Sequence, residues 1–264
     1  MDLGLKGKVV LVTGGSEGIG EGICVELARE GAFVATCARR EGPLKALEAK
    51  LAPFGGRYLT VAADVTSKTD IERVVEQTIA NLGTIDVLVN NAGGGASGTR
   101  SVEDPDDEWE KCYAVNLWPV LRFTRLVFGQ MKARKSGNVV NVASVSGHSA
   151  GWPGVSDYSS AKAAQLLLTK TWAMDFAPYG IRVNAVNPAF VRTPLWERLA
   201  KDFIPAQGNN IEEVFTSVSS NLPSRRMGTI AEVGRVVAFL ASDAAAGFVN
   251  GVSWDVDGGY TNKI

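Results

Sequence analysis

Twelve residues near the start of the chain, Val9 to Gly20, limit its fold more than any others. Val9-Val10-Leu11-Val12-Thr13 make a short apolar run, and Gly14-Gly15-Ser16-Glu17-Gly18-Ile19-Gly20 follow at once. An amphipathic helical pattern then runs from Glu21 through Glu30. A strand that stops at a glycine-rich turn and opens into a helix can cradle a pyrophosphate. Glycine permits backbone conformations closed to other residues and lets a ligand come close. The helix start presents unpaired N–H groups and a partial positive charge. The spacing Gly-x-x-x-Gly-x-Gly is one residue longer than the common dinucleotide fingerprint. An ordinary strand–helix connection would read the same way, so the rest of the chain has to decide.

The rest alternates strand and helix. Strand-like runs are Val9–Val12, Phe33–Cys37, Tyr58–Ala62, Val87–Val89, Val139–Val142, Val183–Val186 and Val252–Val256. Helical patterns lie between them; Ile71, Val74, Val75, Thr78, Ile79 and Leu82 recur at three- and four-residue intervals. Such alternation predicts a seven-stranded parallel sheet with helices on both faces, a doubly wound Rossmann arrangement. Right-handed crossovers put every loop after a strand on one edge, and ligands bind there, where the strand order reverses. No repeat, low-complexity tract or linker interrupts the 264 residues, so one domain spanning 1–264 is expected. Two segments break the rhythm. Gly93 to Gly98 reads as a flexible loop, and Arg192 to Arg226 carries two short helical patterns. Trp196, Leu199, Phe203, Val214 and Phe215 give the second segment apolar anchors. It is expected to be a substrate lid, with an oligomer contact as the alternative.

Composition removes several classes of function. A net charge of −1 gives no bulk attraction to nucleic acid or an anionic membrane. No apolar run approaches the ~18 residues of a membrane span, and Met1-Asp2 leads almost at once into a strand, without a signal peptide's apolar region. Cys24, Cys37 and Cys112 show neither metal-ligand spacing nor a disulfide framework. Cys24 and Cys37 sit in apolar settings and read as reduced core residues; the cysteine usage fits a cytoplasmic protein, with no metal. Asp104-Pro105-Asp106-Asp107-Glu108 reads as a helix start, because acids favour a helix N-terminus. Arg122, Arg125, Lys132, Arg134 and Lys135 read as a solvated helix face that could receive an acidic carrier or a second subunit.

Tyr158-Ser159-Ser160-Ala161-Lys162 opens a long helical pattern that runs to about Phe176. Positions i and i+4 share a face, so phenol and ammonium are expected side by side. An ordinary phenol, with a pKa of about 10, is a poor base at neutral pH. A nearby cation should lower that value and fit it for a carbonyl/alcohol couple. The spacing alone is common on helix surfaces. Asn90-Asn91-Ala92-Gly93 follows the fourth strand, Asn116 lies inside the next helical pattern, and Ser144 precedes Tyr158 by fourteen residues. Asn187-Pro188-Ala189-Phe190-Val191-Arg192-Thr193 follows the sixth strand, and Asp255-Val256-Asp257-Gly258-Gly259 closes the series.

In this order the motifs resemble the short-chain dehydrogenase/reductase family in its compact form, over essentially the whole chain. The resemblance implies an oxidoreductase acting on CH-OH groups. Tyr158 would be the general acid in ketone reduction and the base in alcohol oxidation. Lys162 would lower the phenol pKa and hold the nicotinamide ribose, and Ser144 would hydrogen-bond the substrate oxygen. Asn116 would support a water that passes protons toward Lys162; the alternative is an amide with only structural work. Gly14, Ser16, Gly18, Ile19 and Gly20 would form the pyrophosphate turn. Asp64 and Val65 would meet the adenine, and Asn90, Ala92 and Gly93 the riboses. Pro188, Val191 and Thr193 would position the carboxamide. The family usually forms tetramers, and Val252–Tyr260 resembles its subunit contact, so a homotetramer is expected.

The cofactor can be argued from charge. A carboxylate about 20 residues after the turn would bind the ribose 2′-hydroxyl and repel a 2′-phosphate. Here the second strand ends Thr36-Cys37-Ala38-Arg39-Arg40, without a carboxylate. Arg39 can pair with a phosphate through its planar fork of donors, so NADP(H) is expected over NAD(H). Glu17 argues the other way. The expected reaction is 3-oxoacyl-reductase-like interconversion of a ketone and a secondary alcohol. The alternatives are an NAD-dependent alcohol or polyol dehydrogenase, or a non-catalytic cofactor-binding sensor. Trp152, Phe190, Trp196 and Phe203 point to an apolar or aromatic substrate body. His148, the only histidine, follows Ser144 in a loop; it either reaches the substrate or is an exposed loop residue, and it is assigned no catalysis.

Overall fold

The first strand is apolar on both faces, and that fixes where it goes. Val9–Thr13 (β1) is buried at every position. Val10 and Val12 pack into one core, while Val9 and Leu11 pack into another on the opposite side of the sheet. That is the period-two alternation of a strand covered twice. The computed structural model describes residues 2–94, 103–149, 154–207 and 210–261. After β1 come α1 (Gly18–Arg29), β2 (Phe33–Ala38), α2 (Glu41–Leu51), β3 (Tyr58–Ala62), α3 (Lys68–Leu82) and β4 (Val87–Asn90). Then follow α4 (Asp106–Asn116), α5 (Trp118–Arg134), β5 (Gly137–Val142), α6 (Ser156–Phe176) and β6 (Ile181–Pro188). The chain closes with α7 (Pro194–Gln207), α8 (Ile211–Ser220), α9 (Ile230–Ala241), α10 (Asp243–Ala246) and β7 (Ser253–Val256).

The seven strands form one sheet in the order β3-β2-β1-β4-β5-β6-β7, and every pairing is parallel. Helices α1, α2 and α9 cover one face through Ile23, Leu27, Leu47, Val233 and Val237. Helices α3 and α5 cover the other through Ile71, Val74, Phe123, Val127 and Met131. The order reverses between β1 and β4, so the crevice for a ligand opens beyond their carboxyl ends. A satellite cluster of Ala200, Val214, Phe215, Val218 and Met227 holds α7 and α8 together beyond β6.

Four features differ from the sequence reading. Helix α1 begins at Gly18, inside the glycine turn. Strand β6 runs on past Val186 to Pro188, where the Asn187 amide is spent on the strand beside it: Ser253 Oγ accepts from it at 2.8 Å. Asn116 ends a helix rather than lying inside one, since α5 starts at Trp118 and Pro119 has no N–H with which to continue α4. The cationic face is partly structural: Arg134 Nη2 donates to Ile85 O (2.6 Å), and Lys132 Nζ lies 4.5 Å from the Tyr179 ring centre.

Candidate active site

A cleft of about 770 Å³ opens above the ends of β1 and β4, a size typical of small-molecule and cofactor sites. Its floor is the glycine turn. Gly14 has φ +68°, and a Cβ there would lie 2.9 Å from Ala92 Cα. A Cβ on Gly20 would stand 2.2 Å from Gly14 O. The turn is tied to its surroundings by side chains. Asn91 Nδ2 donates to Thr13 O (2.9 Å) and Gly14 O (3.0 Å), and Thr36 Oγ1 accepts from Gly15 N (3.0 Å). The sequence reading gave no role to Asn91 or Thr36; their signal was a polar side chain at a strand end. Helix α1 starts at this floor with no side-chain cap on its first N–H groups. The cradle and the helix start fit a pyrophosphate.

Ser16, Gly18 and Ile19 line the cleft, and Arg39, Asp64 and Val65 line its β2–β3 side. Ala92, Gly93, Asn116, Tyr158, Lys162 and Thr193 line the other side. Asn90, Ser144, Pro188 and Val191 are not among the lining residues. Asn90 is 2% exposed, and its amide donates to Thr124 Oγ1 (3.2 Å) and Asn141 Oδ1 (2.9 Å), so its side chain serves the core. Pro188 lies within buried β6, and Val191 bridges to Gly228. Ser144 sits just behind the wall, 7% exposed, and is hydrogen bonded to Tyr158. The side chains of Trp152 and Phe203, and the loop from Gly95 to Gly98, lie outside the described residues.

Lys162 is 3% exposed, and its Nζ donates to Val142 O (2.9 Å) at 5.6 Å from the Tyr158 ring centre. Burial brings its pKa down to about 8. Burial also pushes the Tyr158 phenol above its ordinary value, and the hydrogen bond with Ser144 opposes that. This reverses the direction expected from the sequence. The ammonium turns toward a main-chain carbonyl behind the ring, and desolvation outweighs any pairing in the protein alone. Asn116 is fully buried, and its side chain brackets Gly94: Oδ1 accepts from Gly94 N and Nδ2 donates to Gly94 O, both at 3.2 Å. The main-chain carbonyl of Asn116 accepts from Gln165 Nε2, a third residue to which the sequence reading gives no role.

Among the described residues no group of His, Cys, Asp and Glu could hold a metal, and no helix is long and apolar enough to cross a membrane. Cys24, Cys37 and Cys112 are buried and form no disulfide. Burial raises the Cys24 thiol to about 12 and the Cys37 thiol to about 11.

A parallel doubly wound sheet with a glycine-floored cleft at its switch point defines a dinucleotide-binding α/β protein. The short chain dehydrogenase family model matches residues 8–203, and the chain belongs to that family, the short-chain dehydrogenase/reductase oxidoreductases, which use a nicotinamide cofactor and act on CH-OH groups. The 3-oxoacyl-[acyl-carrier-protein] reductase FabG of Thermotoga maritima is 36% identical over 258 residues, 97% of this chain and 98% of that one. The L-sorbose reductase of Gluconobacter frateurii, solved with NADPH and L-sorbose, superposes with a TM-score of 0.93 at 31% identity, over 100% of both chains. An NAD+-bound xylitol dehydrogenase superposes with a TM-score of 0.87 at 32% identity, over 96% of this chain and 98% of that one.

Proposed function

We propose that this enzyme interconverts a ketone and a secondary alcohol by hydride transfer, with NADP(H) preferred over NAD(H). One observation carries the reading. Tyr158, hydrogen bonded with Ser144 and backed by buried Lys162, stands in the wall of the same cleft that the glycine turn floors. The bound nicotinamide would supply or accept the hydride; the protein's part is placement and proton management. Tyr158 gives its proton to the carbonyl oxygen in reduction and takes one from the alcohol in oxidation. Ser144 steadies the oxygen as charge develops on it. Lys162 would hold the nicotinamide ribose and Asn116 would support a water that passes protons toward Lys162, while Pro188, Val191 and Thr193 would set the carboxamide.

The cofactor preference rests on two arginines. Arg40 pairs with Glu17, which offsets the negative charge that would repel a 2′-phosphate. Arg39 lines the cleft and has no ion-pair partner among the described residues. The two solved relatives divide on this point, one with NADPH and one with NAD+, so Arg39 carries the choice.

A 3-oxoacyl thioester is the first substrate to try, given the likeness to FabG. Helices α7 and α8 form the lid over it. Phe190, tilted against Trp196 at 5.3 Å and edge-on to Tyr260 at 5.0 Å between ring centres, supports an apolar substrate body. Four copies assemble through the apolar groove of Leu117, Trp118, Leu121 and Leu167 on α5 and α6 and through exposed Trp254 beside β6. The buried thiols are consistent with a cytoplasmic setting. The test is nicotinamide absorbance with an acetoacetyl thioester, L-sorbose and an aromatic ketone, each with NADPH and with NADH. Oxidation of NADPH by at least one ketone is expected. No oxidation of either cofactor by any carbonyl contradicts the reading, and a lower KM for NADH contradicts the preference.

A further inference from the structure

His148 stands one turn beyond Ser144, on the loop after β5. Residues Val145–Gly147 form a single 3-10 turn: Ser146 N donates to Ser144 Oγ (3.1 Å), Gly147 N to Ser144 O (3.0 Å), and His148 N to Val145 O (3.1 Å). A Cβ on Gly147 would stand 2.9 Å from the carbonyl carbon of Lys162, so the turn lies directly against α6 at the catalytic lysine. The other side of the turn is held by the histidine. His148 Nε2 lies 2.8 Å from Asp255 Oδ1 on β7, and the two side chains are only 25% and 30% exposed. The contact spans 107 positions of sequence. Asp255 Oδ1 also accepts from Asn187 Nδ2 (2.7 Å), at the residue before Pro188. Its other oxygen lies 3.0 Å from Thr261 Oγ1, whose single proton is shared between Asp255 and Asp257 (2.7 Å).

We propose that His148 is a positioning residue: through Asp255 it ties the turn that carries Ser144 to β7 and to the end of β6, and so fixes the Ser144 hydroxyl relative to Tyr158 and the substrate oxygen. The role of Ser144 rests on the function proposed above; the tie itself does not. Gly147 limits movement of the turn toward α6 and His148 limits movement away from it. A hydrogen bond to a carboxylate is stronger than one between neutral groups. Asn187 extends the same carboxylate's hold to the strand end from which Pro188, Val191 and Thr193 follow. Misplacement of a catalytic group by about 1 Å can cost on the order of a hundredfold in rate.

The test uses the full chain with His148→Leu, which cannot donate, and His148→Gln, whose amide can. Hydrogen exchange measured by mass spectrometry reads the tie without any reference to activity. His148→Leu is expected to speed exchange in 143–149 and in 253–261 together, and His148→Gln to restore both. With the best carbonyl of the panel, His148→Leu should lower kcat at least about tenfold, with the KM for NADPH held within about twofold. His148→Gln should recover most of that loss. In an Asp255→Leu background, His148→Leu should add nothing further, because the two act as one unit. Unchanged exchange in His148→Leu overturns the proposal, as does a fall in kcat that glutamine does not rescue. Losses that simply add in the double variant overturn it too. If Asp255→Leu does not fold, the leucine–glutamine comparison still decides. Should the wild type reduce no carbonyl, the proposed function fails, while the exchange experiment still accepts or rejects the tie.

Discussion

Lys162 is a cation whose charge the fold resists. Held down to about 8 against 10.5 in an open chain, it binds fewer protons folded than unfolded across that interval. Stability of the ligand-free protein should therefore rise as pH climbs from about 8 to 10.5, and the cost of the buried charge, about 3 kcal/mol, should be present in full below pH 8. Replacing Lys162 with Met removes that cost along with the bond to Val142. Urea unfolding is expected to find Lys162→Met the more stable protein at pH 7, with its advantage shrinking steadily toward pH 10. A pH-independent difference would show that the ammonium is not desolvated. Arg39 makes the opposite argument, for a charge left exposed to meet a ligand. Arg39→Ala should raise the KM for NADPH by about tenfold to a hundredfold, the worth of a charge-assisted hydrogen bond, and leave that for NADH nearly unchanged. Equal effects on both cofactors would remove the basis for the preference.

At the scale of elements, two placements matter most to the site. The break between α4 and α5 leaves Asn116 at a helix end, where its side chain brackets Gly94 and its carbonyl meets Gln165. The apolar period runs through the break and so predicts a mid-helix place for Asn116; Pro119 is the local sign of the break. The crossing of α1 and α9 is closer than side chains permit. A Cβ on Gly22 would stand 2.3 Å from Ile230 O, and one on Gly234 would stand 2.6 Å from Gly22 O. Main-chain atoms cannot swing aside, so α1 must move. Gly22→Ala is expected to cost about 1–3 kcal/mol in urea unfolding and to weaken NADPH binding, because α1 carries the cofactor turn. An unchanged unfolding midpoint would mean that the two helices separate freely.

Across the whole molecule, what the sequence could reveal was set by distance along the chain. The seven strands, their helical cover and the glycine turn were legible because each is written in a few consecutive residues. The end of strand β6 is hidden in the sequence because Asn187 and Pro188 look like a loop, and the acceptors of the Asn187 amide, Ser253 and Asp255, lie more than sixty positions away. The partner of His148 was invisible for the same reason. The direction of the Tyr158 shift depends on how much protein surrounds the ring, which spacing does not record. Assembly also belongs to this scale. Sedimentation is expected to give four times the mass of the chain, and Trp118→Glu, in the α5–α6 groove, should split that species. A monomeric wild type would contradict the tetramer. The account as a whole turns on the phenol of Tyr158. The most direct measurement is Tyr158→Phe, read by NADPH binding and by NADPH oxidation with the best carbonyl of the panel. Binding within a few-fold of wild type, with turnover reduced by about a hundredfold to ten-thousandfold, is the predicted result. Turnover that survives the loss of the hydroxyl would contradict it.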